Sequence, residues 1–130
     1  MPRDDFWQTV TTDEYNALAD REGRKRNKYG NIKCTEDGYR FDSLAERDRY
    51  LVLRARQQAG EIAYLMVHPR FPIEINGVQV CIYVADFAYE EGGDLTVEDV
   101  KSKATRTATY RLKAKLMRAV LGIKVAEVMA

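Results

Sequence analysis

The run Val80-Cys81-Ile82-Tyr83-Val84-Ala85-Asp86-Phe87-Ala88-Tyr89, turned by Glu91-Gly92-Gly93-Asp94 into Leu95-Thr96-Val97-Glu98-Asp99-Val100-Lys101, decides the fold. Both segments are rich in β-branched and aromatic residues, so they read as two strands of one antiparallel hairpin. Strands alternate faces with period two, which puts Asp99 and Lys101 on one side, where a paired strand can bring Asp86 to meet them. Read as one strand, Val80 to Tyr89 places Asp86 on the face of Val80, Ile82 and Val84. An ionised carboxylate there is costly unless it holds a cation or a partner charge. The three residues are therefore expected to form a site for a metal ion and a water.

Upstream, Asn76-Gly77 is the strongest short hairpin signal in the chain, and it joins Arg70 to Ile75 with the strand that begins at Val78. Ile62 to Met66 adds another strand, and the set reads as an antiparallel meander. Downstream, Thr107 to Leu121 has helical spacing in Tyr110, Leu112, Leu116, Met117, Val120 and Leu121, with Gly122 as its stop. Ile123 to Val128 follows as a strand, so strand, crossover helix and strand form a parallel βαβ unit. Before the meander, Ser43 to Ala59 is a helix whose stripe is Leu44, Ala45, Leu51, Val52 and Ala55, with Gly60 as its stop. A small hairpin is expected for Ile32 to Thr35 against Tyr39 to Phe41. The result is an α/β fold, a mixed sheet flanked by helices.

Residues 31–130 read as a single domain, and residues 1–30 as an appendage with a short helix capped near Thr12 and a basic segment. A chain of 130 residues, 45% hydrophobic and 32% charged, has the core of one globular domain. Its net charge of +1 conceals two basic patches. Arg21, Arg24, Lys25, Arg26 and Lys28 face Glu22 alone, and Lys101 to Arg118 holds seven Lys or Arg residues and no acid. Such patches on a nearly neutral protein point to a polyanionic partner. Cys34 and Cys81 lack metal-site spacing, which excludes a cysteine zinc site and fits a reduced compartment. The N-terminus is too polar for a signal peptide and no stretch is long enough to span a membrane, so a cytoplasmic protein is expected.

The order Glu46 on the first core helix, Asp86 on a long strand, Asp99-Val100-Lys101 on the next, then a basic helix and a strand resembles the PD-(D/E)XK nuclease superfamily. More closely, Lys28-Tyr29-Gly30-Asn31, Gly38-Tyr39-Arg40-Phe41-Asp42-Ser43, Tyr83-Val84-Ala85-Asp86-Phe87 and Val97-Glu98-Asp99-Val100-Lys101 resemble an uncharacterised family of small phage and prophage proteins assigned to that superfamily. The likeness covers roughly residues 12–128. Ala85 stands before Asp86 where the motif's name has proline.

This resemblance implies a restriction-endonuclease-like core, comparable to Holliday-junction resolvases, and a metal-dependent DNA endonuclease. Asp86 and Asp99 would supply hard oxygen ligands to Mg2+ or Mn2+, joined by the Val100 carbonyl and by Glu46 directly or through water. Lys101 would orient the attacking water or stabilise the developing phosphorane charge. Each residue also has a plainer reading. Ser43-x-x-Glu46 is a capping box, Asp99 and Lys101 can be an exposed strand pair, and Glu98 can pair with Lys101 on the surface. Asp86 can be a structural buried acid, and Glu98 is a reserve ligand should a bulge swap it with Asp99. His68, ahead of Pro69, reads as a turn or packing residue rather than a base.

For substrate, Lys103, Thr105, Arg106, Arg111, Lys113 and Lys115 on and before the second helix, with Arg24, Lys25, Arg26 and Lys28, are candidate contacts to a nucleic-acid backbone. No sequence-reading module is present, so by analogy with the resolvases the expected substrate is branched or four-way-junction DNA, cut by a homodimer. The alternatives are a nicking, recombination or packaging nuclease with another DNA target, and a noncatalytic nucleic-acid-binding protein of the same fold.

Overall fold

Two long chain segments bend together at the middle of this fold, and the bend positions everything that follows. The computed structural model describes residues 32–130, which form one compact unit. The expected helix near Thr12 and the basic residues Arg24, Lys25, Arg26 and Lys28 lie outside the described residues. Among the described residues the order is β1 (Cys34–Glu36), β2 (Tyr39–Phe41), α1 (Leu44–Gln58), β3 (Ala63–Val67), β4 (Arg70–Ile75), β5 (Val78–Val84), β6 (Phe87–Glu91), β7 (Asp94–Lys101), α2 (Ala108–Leu121) and β8 (Val125–Met129). The fold is α/β. No helix among the described residues is long and apolar enough to cross a membrane.

The central sheet has the order β3-β6-β7-β8, antiparallel except for the parallel β7–β8 pair that α2 connects. The β4–β5 hairpin turns at Asn76 and Gly77, whose φ values of 53° and 79° are those of the primed turn that Asn-Gly favours. Gly92 and Gly93, at φ 61° and 87°, make the corresponding turn between β6 and β7. The first hairpin is shifted from expectation: Cys34 to Glu36 pairs with Tyr39 to Phe41, because Asp37 and Gly38 occupy the turn at positive φ.

Val80 to Tyr89 is not one strand. β5 ends at Val84 and β6 starts at Phe87, and on the other side of the ribbon β3 ends at Val67 and β4 starts at Arg70. The register nonetheless continues through the break. Met66 opposes Ala88, Val67 opposes Phe87, the His68 amide donates to the Asp86 carbonyl at 2.9 Å, the Ala85 amide donates to the Pro69 carbonyl at 3.1 Å, and Arg70 opposes Val84. This is one long hairpin bent at His68-Pro69 opposite Ala85-Asp86. Proline has no N–H to return to the ladder, and His68 sits at φ 53°, a conformation strands do not use. The bend carries β4 and β5 out of the central sheet. Val80, Val84 and Val78 are consequently exposed on the hairpin's outer face, and the expected apolar face shared with Asp86 does not form.

Each face of the central sheet has its own core. Toward α1, Phe41, Tyr50, Leu53, Ile62, Phe87, Tyr89 and Val100 pack together. Toward α2, Ile73, Tyr83, Ala85, Ala88, Val97, Tyr110 and Met117 do so. In α1 the buried side chains are Tyr50 and Leu53, whereas the expected stripe members Leu44 and Val52 are exposed. The inward face is instead the one that carries Arg49, which reaches across to Glu98 of β7. α2 runs from its Thr107 N-cap to Gly122 as expected, burying Tyr110 and Met117 while Leu112 stays exposed.

Candidate metal centre and basic groove

Where the β6–β7 ladder ends at Phe87 opposite Glu98, carboxylates take over from backbone carbonyls. The Asp99 Oδ1 accepts from the Asp86 amide at 2.8 Å, and Asp86 Oδ2 accepts from the Val100 amide at 2.7 Å. Asp99 Oδ2 accepts from the Tyr83 hydroxyl. Asp99 is therefore a buried acid with both oxygens engaged, not an exposed partner of Lys101. Val100 contributes its amide to Asp86 and its side chain to the α1-side core.

Two further side chains, from separate parts of the chain, converge on Asp86. One ligand atom each of Glu46, His68 and Asp86 lie within 4.8 Å of one another, the group of His, Cys, Asp or Glu residues among the described residues that can hold a metal ion. Glu46 comes from the first turn of α1, where Ser43 Oγ accepts from the Glu46 amide at 3.1 Å. Capping and clustering thus coexist: Ser43 fixes the helix start, and the helix start aims Glu46 at the bend. His68 comes from the bend itself. It is the turn and packing residue expected, at φ 53° with its ring 5.7 Å from that of Phe41; what sequence reasoning did not find is its nearness to Glu46 and Asp86, for which the signal was Pro69, whose interruption of one strand must be matched on its neighbour.

The electrostatics agree with this crowding. Burial, then the charges of Asp86 and Asp42, raise the Glu46 carboxyl to about 7, against the opposing pull of the Asp42 amide and Lys101. Burial also raises Asp86, opposed by the Val100 amide, Lys101 and His68. Asp99 is raised to about 6 by burial, with Lys101 and the Asp86 amide pulling it down. Groups held above their ordinary range by desolvation and mutual repulsion gain from a cation. Two carboxylates and an imidazole are donor types that suit a divalent ion, and ligand atoms within 4.8 Å of one another would draw in toward the roughly 3–4 Å that separates ligands of an octahedral ion at about 2.1 Å. The imidazole suits Mn2+ better than Mg2+.

Lys101 ends β7 with its Nζ 4.4 Å from the centroid of the Tyr110 ring. Its charge acts on Glu46, Asp86 and Asp99 together. Glu98, the reserve ligand, is committed elsewhere: Arg49 donates to its two oxygens at 2.9 and 2.7 Å, and the Tyr89 hydroxyl donates to one of them. Neither a bulge nor a Glu98–Lys101 pair occurs, because Glu98 faces α1 while Asp99 and Lys101 face α2.

Beyond Tyr110 a groove of about 540 Å³ runs between α2 and β8, lined by Arg106, Arg111, Lys115, Arg118 and Lys124. Its one acid, Glu127, accepts from Arg106 Nε at 3.0 Å and from the Tyr110 hydroxyl at 2.9 Å. The candidate backbone contacts divide accordingly. Arg106, Arg111 and Lys115 line the groove, whereas Lys113 points to the other flank of α2 and donates to the Ile82 carbonyl at 3.4 Å. Thr105 closes its own turn, accepting from the Ser102 amide at 2.8 Å, and Lys103 is exposed in the same turn.

With this geometry in place, comparison with known proteins gives the chain's family. Residues 26–126 match the family described as "Protein of unknown function (DUF1064)", and the chain belongs to it. No curated protein matches the chain, and no solved structure does.

Proposed function

We propose that the protein is a metal-dependent endonuclease that hydrolyses phosphodiester bonds of DNA, with branched or four-way-junction DNA as substrate. The observation that carries this reading is the convergence of Glu46, His68 and Asp86, on whose carboxylates the Lys101 charge also acts. Glu46, His68 and Asp86 would hold Mg2+ or Mn2+, and the bound ion would supply Lewis acidity and a water of lowered pKa. Asp99 braces the strand end by fixing the Asp86 amide and, through it, the Asp86 side chain. Lys101, steadied over the Tyr110 ring, places positive charge where the in-line attack of water on phosphorus builds negative charge. Water's oxygen bonds to phosphorus as the bond to the leaving oxygen breaks, so one diester becomes a phosphate monoester and an alcohol. Action on two strands of a junction calls for two such sites and hence a homodimer.

A second reading has its own support. Both Asp99 oxygens and one Asp86 oxygen are satisfied within the protein, as they would be in a noncatalytic nucleic-acid-binding protein whose acids are structural. A cleavage assay separates the two. Labelled four-way junction, flap, linear duplex and single strand are incubated with the full chain and Mg2+ or Mn2+ at low salt. Metal-dependent cutting that Asp86→Ala and Lys101→Ala abolish while DNA binding persists supports the nuclease. Binding without cutting under either metal overturns it, and equal cutting of all four substrates removes the junction preference.

A further inference from the structure

The groove between α2 and β8 gathers charge in a way that the helix alone does not. Arg111, Lys115 and Arg118 follow one another along one flank of α2, Arg106 stands before the helix, and Lys124 closes the groove from the segment leading into β8. Among the described residues, Arg111, Lys115, Arg118 and Lys124 make no ion pair, and Glu127 is already bound by Arg106 and Tyr110. Cations held this close on one wall repel one another, and a polyanion removes that cost. From Arg111 to Arg118 the helix rises about 10 Å, roughly the axial length of three nucleotides in one strand of B-form DNA.

We propose that this groove seats the sugar-phosphate backbone of one strand of duplex DNA and leads it toward Lys101. Its lining decides between duplex and single strand. A groove for unpaired bases offers aromatic faces for stacking, but the one aromatic ring here, Tyr110, is buried beneath Lys101 with its hydroxyl bound to Glu127. The rest of the lining is Ala108, Leu112, Ala114 and Val125 between the cations, a surface that can meet a ribose-phosphate chain and reads no base. Tyr110 joins the two regions: Lys101 covers its ring and Glu127, reached by its hydroxyl, holds Arg106 at the groove. Contact through backbone charge alone makes binding independent of sequence and steeply dependent on salt.

This inference rests on the nucleic-acid reading above but not on cleavage, so the two fail separately. The test is fluorescence polarisation of the full chain with a labelled linear duplex in EDTA, repeated over a series of KCl concentrations. The triple variant Arg111→Gln, Lys115→Gln, Arg118→Gln is expected to lose at least about tenfold in affinity, with the slope of log K against log salt reduced by about two to three. Lys124→Gln alone, off the helix, is expected to reduce the slope by about one. Lys113→Gln, on the other flank of α2, is expected to keep the wild-type slope. Circular dichroism melting confirms that the triple variant is folded. Wild-type affinity and slope in the triple variant, a loss from Lys113→Gln as large as that from Lys124→Gln, or tighter binding of a single strand of the same length overturns the proposal. Absence of cleavage with the expected binding pattern overturns the nuclease and leaves the groove standing.

Discussion

His68 and Asp86 face each other across the bend of one long hairpin, joined by a 2.9 Å hydrogen bond from the His68 amide to the Asp86 carbonyl. That backbone bond fixes the two side chains on neighbouring positions of a ribbon that has left regular strand geometry, and the N-terminal turn of α1 brings Glu46 to them. A flat ladder would send residues at such positions to its faces, where α1 and α2 pack. The bend opens a place at the sheet's end.

His68 gives the centre a nitrogen donor, and metal choice is where this is measurable. Mn2+ is expected to bind more tightly than Mg2+, because imidazole adds more to the softer ion. His68→Ala is expected to lose about tenfold in Mn2+ affinity by calorimetry or by the free-Mn2+ paramagnetic resonance signal, with a smaller effect on Mg2+. Equal small losses for both ions would show that His68 is not a ligand.

Much of the scaffold was legible because it is written in local chemistry. Asn76-Gly77 and Gly92-Gly93 dictate turns, Ser43 and Thr107 cap helices, and Gly122 ends one, so elements from α1 to β8 could be placed in order. The crossing from β7 through α2 to a parallel β8 followed from the same spacing. What was not legible is non-local. Nothing within Val80 to Tyr89 signals a break, since it is imposed by Pro69 on the opposing strand. Period two already set Glu98 and Asp99 on opposite faces, but not their partners: one meets Arg49 and Tyr89 and the other meets Tyr83 and the Asp86 amide. Those partners come from the packing of α1 against one face and α2 against the other.

The raised carboxyls make the stability of the metal-free protein depend on pH in a definite direction. Glu46 has an ordinary value of 4.5 and is held at about 7, and Asp99 moves from 3.8 to about 6. Each binds its proton more tightly in the folded state, so its contribution is full below the unfolded value and is lost as pH rises through the folded one. Urea midpoints in EDTA are expected to fall between about pH 4.5 and 7 and then level off. Excess Mn2+ at pH 8 is expected to restore the midpoint, and Glu46→Gln is expected to flatten the decline. A midpoint that rises steadily from pH 5 to 8 in EDTA would contradict this assignment.

Arg49 and Glu98 tie α1 to the middle of the sheet, with Glu98 almost fully covered. Removing Arg49 would leave the covered Glu98 charge without compensation, a loss of about 3–5 kcal/mol in buried pairs, whereas removing Glu98 leaves Arg49, whose side chain still reaches solvent, and costs less. Arg49→Ala is accordingly expected to lower the urea midpoint sharply and Glu98→Ala less, through the lost pair and the unpaired Tyr89 hydroxyl, with Mn2+ affinity unchanged in both at temperatures where they are folded. Loss of metal affinity in folded Glu98→Ala would return Glu98 to the list of ligands.

Asp99 offers a way to separate bracing from chemistry. The Asp86 amide can only donate, whereas the Tyr83 hydroxyl can donate or accept. In Asp99→Asn the side-chain oxygen can keep the bond from the Asp86 amide while the new NH2 donates to Tyr83, so every buried group remains paired. Asp99→Ala leaves both the amide and the hydroxyl unpaired, at a cost of about 1–3 kcal/mol for each. Asp99→Asn is therefore expected to be at least as stable as wild type at pH 8, where it removes a buried charge, and Asp99→Ala clearly less stable by urea denaturation. If Asp99 also binds the cation, Asp99→Asn will fold normally and lose metal affinity; if Asp99 only braces the strand end, Asp99→Asn will keep that affinity. A folded, fully metal-binding Asp99→Asn would confine the centre to Glu46, His68 and Asp86, and would make Asp99 a positioning residue acting through the Asp86 amide.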